Sequence, residues 1–119
     1  MADCIFCKIV KKEIPADILY EDDLVMAFSD AYPIAPVHIL VIPKEHIKSI
    51  NELTEDEKGE KIAGRLIMVA KKLAKENGTS EKGYKLLIRT GENGGQEIPH
   101  IHLHLLGGAK LSEGIRPIK

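Results

Sequence analysis

Apolar positions along this chain change period three times, and each change marks a different kind of element. In "IFCKIVKKEI" the apolar residues Ile5, Ile9 and Val10 are separated by charges, a spacing that predicts a short helix ending before Pro15. "ADILYEDD" and "LVMAFSD" are brief apolar segments with acidic residues between them, the pattern of two strands in a hairpin. The two prolines of "AYPIAP" stiffen a loop, and the β-branched run "VHILVIP" that follows predicts a third strand closed by Pro43. Ile62, Leu66, Val69 and Leu73 then recur along one helical face until "ENG" stops the pattern. Thr54 is the expected cap of this long helix, with Glu57 completing a capping box. "YKLLIR" and "HIHLHLL" add two strands joined by the glycine-rich "TGENGGQEIP". Strands broken by one long helix predict an α+β fold: about five antiparallel strands, one long helix and a short N-terminal helix.

The last of these strands carries an unusual polar face. Strand alternation puts His100, His102 and His104 on one side at roughly 6.5 to 7 Å spacing, with Ile101, Leu103 and Leu105 turned into the core. Solvent-facing strand positions ordinarily take Thr, Lys or Glu, so three of the chain's five histidines in this row point to chemistry. Two readings fit the residues alone: a metal held by the imidazoles, or acid-base and nucleophilic catalysis by them. Gly91, Gly94 and Gly95 lie just before the triad, where converging backbone N–H groups form a nest for a phosphate as readily as they form a turn. A neutral imidazole, the majority form at pH 7 for a reference pKa of about 6.5, is a competent nucleophile toward phosphorus held in such a nest.

Composition narrows the setting. A chain of 119 residues, 44% of them hydrophobic, suffices for one core, so a single globular domain over 1–119 is expected. Seventeen Lys and Arg against eighteen Asp and Glu leave a net charge of −1 and no basic excess to grip a nucleic acid. No apolar run is long enough to cross a bilayer, and the N-terminus lacks a basic stretch leading into an apolar one, so a cytoplasmic protein is expected. Cys4 and Cys7 are three apart, which in a reducing compartment suits metal binding better than a disulfide. Two buried thiols remain the plain alternative.

"HIHLHLL" matches at every position the His-φ-His-φ-His-φ-φ signature, φ being apolar, of the histidine triad (HIT) nucleotide-binding proteins. "CIFCKIVKKEIPADILYEDD", "AFSDAYPIAPVHILVIPKEHI" and "GGQEIPHIHLHLLGG" extend the resemblance almost end to end, with greatest likeness to the nucleoside phosphoramidases. The resemblance implies a HIT-like fold, a homodimer and hydrolysis of nucleoside 5′-phosphoramidates or related nucleoside monophosphate derivatives. It implies His102 as the nucleophile that becomes nucleotidylated, His104 as the partner of phosphoryl oxygen or leaving group, and His38 as a support from the third strand. For an AMP-like purine nucleotide it implies Asp30 as the ribose partner, Phe28 and Ala31 at the base, and Gly95, Gln96 and the Glu97 backbone at the phosphates. Read alone, Asp30 is as well a turn residue before Pro33, and Phe28 plain core. It also implies a structural zinc on Cys4, Cys7, His46 and His100, leaving His102 and His104 free for phosphoryl chemistry.

Three positions depart from the commoner pattern. Arg89 stands where relatives often carry asparagine, Glu97 where some carry serine, and Pro99 where tyrosine is common, so those contacts are not carried over. The alternatives are a dinucleoside polyphosphate hydrolase, a nucleotide-binding regulatory protein with vestigial catalysis, and a metalloenzyme liganded by His100, His102 and His104.

Overall fold

The computed structural model describes residues 4–118. The N-terminal helix α1 spans Ile5–Val10, capped by Cys4, whose Sγ accepts the backbone N–H of Cys7. Strands β1 (Ile18–Glu21) and β2 (Val25–Ser29) form the expected hairpin, and β3 (Val37–Pro43) follows the proline loop. After a 3-10 turn at Ile50–Glu52 come α2 (Glu57–Glu76), β4 (Lys85–Ile88), the single helical turn α3 (Gly91–Gly94) and β5 (Leu103–Gly107). The five strands make one antiparallel sheet in the order β1-β2-β3-β5-β4. Among the described residues no helix is long and apolar enough to cross a membrane.

Both faces of the central strands are covered, which is why β2 and β3 read as continuous rather than alternating apolar runs. On one face Ile62, Leu66, Val69 and Leu73 of α2 pack against Ala27, Ile39, Val41, Leu103 and Leu105. On the other, Phe6 and Ile9 of α1 pack against Met26, Phe28, Leu40 and Ile42. Cross-strand register carries this second face to the site: Phe28 pairs with Leu40, Leu40 with His104, and His104 with Leu87, one row across four strands.

Two expectations need correction. The cap of α2 is Asp56, whose carboxylate accepts the N–H of Gly59 at 3.0 Å, not Thr54. The Thr54 backbone instead folds over the first turn, where a side chain on Gly59 would lie 1.8 Å from the Thr54 carbonyl oxygen, and the Thr54 hydroxyl donates to Asp56 at 2.6 Å. The triad is also not one straight row on a strand, because β5 begins only at Leu103. Ile101 donates its N–H to Ile47 at 2.8 Å, and His100 donates its own to Ile98 at 2.8 Å. These bonds turn the segment after Pro99 away from the ladder and send His100 to a different partner set.

Candidate active site

The three histidines are all buried, and they divide between two clusters. His100 is fully enclosed. Its Nε2 donates to the Pro43 carbonyl at 2.9 Å, which leaves the Nδ1 lone pair facing Cys4 Sγ at 3.3 Å and Cys7 Sγ at 3.7 Å. His46 Nδ1 lies 3.2 Å from Cys7 Sγ. The four donor atoms lie within 4.8 Å of one another, so this cluster could hold a metal. Burial pushes the His100 imidazole down to about 4, and burial with the adjoining Cys4 sulfur pushes the Cys7 thiol up. A donor set of two thiols and two neutral imidazoles suits a tetrahedral ion, for which adjacent N and S ligands sit about 3.6 Å apart.

His102 and His104 face a cleft of about 550 Å³. Its walls include Asp30, Ile34, His38, Leu40, Arg89, Gly95 and Glu97, with Phe6 beneath. Phe6 meets the edges of both His100 and His102, at ring-centroid distances of 5.7 and 5.1 Å, and so separates the two clusters. His102 Nδ1 donates to the carbonyl of His100 at 2.8 Å; this fixes the tautomer and leaves Nε2 as the lone-pair nitrogen. Burial holds its pKa below the ordinary histidine value, so the ring is neutral at pH 7.

His38 and His104 form the second half of the cleft, tied by a 3.0 Å contact between His38 Nε2 and His104 Nδ1. The N–H of Ile34 donates to His38 Nδ1 at 3.2 Å, so the His38 proton sits on Nε2. Asp30 Oδ2 lies 3.3 Å from that same nitrogen, while Oδ1 accepts the N–H of Tyr32 at 2.8 Å. Asp30 is therefore a turn residue and a cleft residue at once, with a lone pair on each oxygen still available. Burial lowers the pKa of His38 against the pull of Asp30, and burial aided by His102, Arg89 and His38 lowers His104 to about 4.

The glycine loop is more constrained than a bare turn. Gln96 accepts the Gly91 N–H at 3.0 Å and donates to the carbonyls of Lys48 at 2.6 Å and Ile98 at 2.9 Å, pinning the loop to the segment after β3. Gly95, with φ of 79°, adopts the left-handed conformation that ends α3. Gly95 and Glu97 reach the cleft; Gln96 faces the adjoining groove with Gly91 and Pro99. Phe28 is buried behind the floor, its ring centroid 5.7 Å from that of Phe6, and Ala31 is exposed beside Asp30; neither lines the cleft. Phe6 and Ile34 gave no sequence signal, because an aromatic between two cysteines and a backbone N–H in a loop look like nothing in particular. Arg89 did leave one, a cation where relatives often carry asparagine.

A model of the HIT domain matches residues 11–111. The purine nucleoside phosphoramidase of Escherichia coli K12 is 50% identical over 109 residues, 92% of this chain and 90% of that protein. Among solved structures, a HIT family hydrolase from Legionella pneumophila superposes with a TM-score of 0.89 at 45% identity, covering 96% of this chain and 100% of its own. One from Clostridium thermocellum gives 0.90 at 43% identity, covering 98% and 99%.

Proposed function

Because the chain belongs to the HIT domain family, we propose that it is a nucleotide hydrolase cleaving nucleoside 5′-phosphoramidates or related nucleoside monophosphate derivatives through a nucleotidyl-histidine intermediate. The observation that carries this reading is the His102 tautomer: a neutral ring whose Nδ1 proton is held by the His100 carbonyl has its lone pair on Nε2. That lone pair forms the N–P bond as the bond from α-phosphorus to the leaving group breaks, the departing amine taking its proton from water at the mouth of the cleft. Water then attacks phosphorus, the P–N pair returns to Nε2, and the nucleoside monophosphate leaves. His104 and the Gly95–Glu97 backbone hold phosphoryl oxygen at the mouth of the cleft. The free lone pairs of Asp30 accept the two ribose hydroxyls, and the apolar walls at Phe6, Ile34 and Leu40 meet the base, with Phe28 and Ala31 behind and beside them.

Zinc is our assignment for Cys4, Cys7, His46 and His100, in a closed structural site. Bound there, it supplies a crosslink between α1 and the segment bearing His102, and no open position for water. A second copy of the chain covers the β4 edge and the apolar Ile67 and Met68 on the outer side of α2, and a reducing cytoplasm suits the two free thiols.

Substitution His102→Ala tests the mechanism. Turnover of adenosine 5′-phosphoramidate falls by several orders of magnitude while AMP still binds, and the adduct seen by mass spectrometry in acid-quenched wild type disappears. Activity within about tenfold of wild type would overturn the assignment.

A further inference from the structure

Cys4 and Cys7 lie within reach of each other as well as of the two imidazoles. Cys4 caps α1 and Cys7 stands three residues on; a rise of 1.5 Å per residue on a cylinder of about 2.3 Å radius puts their Cα atoms about 5 Å apart. A disulfide accepts Cα separations of about 4.4 to 6.8 Å. The sulfurs are already gathered: the Cys7 N–H donates to Cys4 Sγ at 3.4 Å, and both Sγ atoms belong to the cluster whose donor atoms lie within 4.8 Å of one another. Both thiols are free, and the chain has no third cysteine to compete.

Access differs between the two. Cys4 is 8% exposed and buried, whereas Cys7 is half-buried. A small oxidant therefore meets Cys7 first, with Cys4 behind it as the resolving thiol. Burial and the adjoining Cys4 push the Cys7 thiol up, which slows the thiol form. His46 Nδ1, 3.2 Å from Cys7 Sγ, is placed to take the proton as the sulfur reacts.

Phe6 joins this pair to the cleft, because it lies between the two cysteines on the same helical turn. Its ring lines the cleft and meets the edge of His102 with 5.1 Å between centroids, and that of His100 with 5.7 Å. A sulfur–sulfur bond of about 2.05 Å draws in the cap of α1 and shifts Phe6 under the ring of His102. Disulfide sulfurs also carry no thiolate charge, and the two imidazoles left over do not make the four-ligand set of a structural metal site.

We propose that Cys4 and Cys7 are an oxidative modification site, at which a reversible disulfide opens the metal cluster and lowers turnover in the neighbouring cleft. Hydrogen peroxide is the oxidant. The Cys7 sulfur takes one peroxide oxygen as the O–O bond breaks, giving a sulfenic acid and one water. The Cys4 sulfur then displaces that oxygen as a second water, and the S–S bond forms. Two thiols lose two electrons and two protons; the peroxide gains both. The proposal rests on the zinc assignment only for metal release and on the hydrolase reading only for turnover.

The test treats the protein, purified without chelator or reductant, with stepwise hydrogen peroxide. Peptide mapping after alkylation locates the bond, since the exposed Met68 takes up oxygen independently. Both thiols disappear together, the Cys4–Cys7 peptide becomes two hydrogens lighter, and a chromophoric chelator registers the released zinc. Turnover of adenosine 5′-phosphoramidate falls roughly tenfold, as a shift well below 1 Å at the nucleophile suffices for that, and dithiothreitol restores it. Cys7→Ser shows no loss that dithiothreitol reverses. Thiols that stay unreacted, sulfurs that gain oxygen without an S–S bond, a disulfide between two chains, or a mapped disulfide with turnover unchanged each overturn the proposal. A disulfide formed by protein that carried no zinc removes the zinc assignment and leaves the modification standing. Protein inactive before oxidation overturns the hydrolase reading instead, and calorimetric affinity for AMP, lowered by the disulfide and recovered on reduction, then decides. Should Cys7→Ser fold poorly, the mapping and reversal in wild type decide alone.

Discussion

Acidification should cost this protein stability through the cleft histidines, and His104 sets the scale. Unfolded, its imidazole titrates near the reference value of about 6.5. Folded, burial first and then the neighbouring His102, Arg89 and His38 hold it at about 4. The folded state therefore favours the neutral ring, and its contribution is fully present above pH 6.5. As pH falls from 6.5 toward 4, the unfolded chain binds a proton that the folded one refuses, and stability is lost; below about 4 both states are protonated and the loss stops. The difference of about 2.5 units corresponds to about 3 kcal/mol at 1.36 kcal/mol per unit. Only 8% of His104 is exposed, so solvent screening takes little from that figure. Urea melts at pH 7, 6, 5 and 4.5 on wild type and His104→Asn measure it, the variant showing a shallower decline by an amount approaching that figure. Ring resonances followed by NMR give the pKa itself. A His104 titrating at 6 or above, or identical pH profiles for the two proteins, would refute the account.

Three further outcomes follow from the same geometry. The acid limb of kcat/KM should lie below the ordinary histidine value of about 6.5, because burial holds the His102 imidazole below it; a limb at or above about 6.5 in a pH–rate profile would contradict it. Asp30→Asn should weaken ribonucleotides more than 2′-deoxyribonucleotides, by about tenfold or more, as a charge-assisted acceptor is lost; its amide oxygen still accepts from Tyr32, so equal losses for both sugars in a binding assay would make Asp30 structural. Protein purified without chelators should carry about one zinc per chain, and removing it should lower the melting temperature more than it lowers nucleotide affinity. Absence of metal with two freely reactive thiols would return Cys4 and Cys7 to plain core.

The fold was legible because the strands are short apolar runs set off by turn residues and the long helix keeps a single period. The stripe Ile62, Leu66, Val69 and Leu73 is the helix face that covers the sheet, and "VHILVIP" is β3 residue for residue. What failed was local competition between backbone groups. Thr54 and Asp56 are both good caps two residues apart, and only the approach of the Thr54 carbonyl to Gly59 decides between them. The triad's alternation placed Ile101, Leu103 and Leu105 in the core correctly. It could not show that the bonds of Ile101 to Ile47 and of His100 to Ile98 break the row. The site's chemistry was visible as residue types, whereas its proton arrangement was not, since that depends on a loop N–H at Ile34 and carbonyls at Pro43 and His100. Side chains announce themselves in a sequence; the carbonyl that orients one does not.

The contact of Cys4 with His100 joins residues 96 positions apart. During synthesis α1 therefore emerges first and waits, its two sulfurs without their imidazole partners until most of the chain has left the ribosome. Closing so long a loop costs about 4 kcal/mol of chain entropy, which the sheet must already have met by bringing β5 beside β3. The two thiols are thus open to oxidants and stray metal ions until His100 has been made and folded against them.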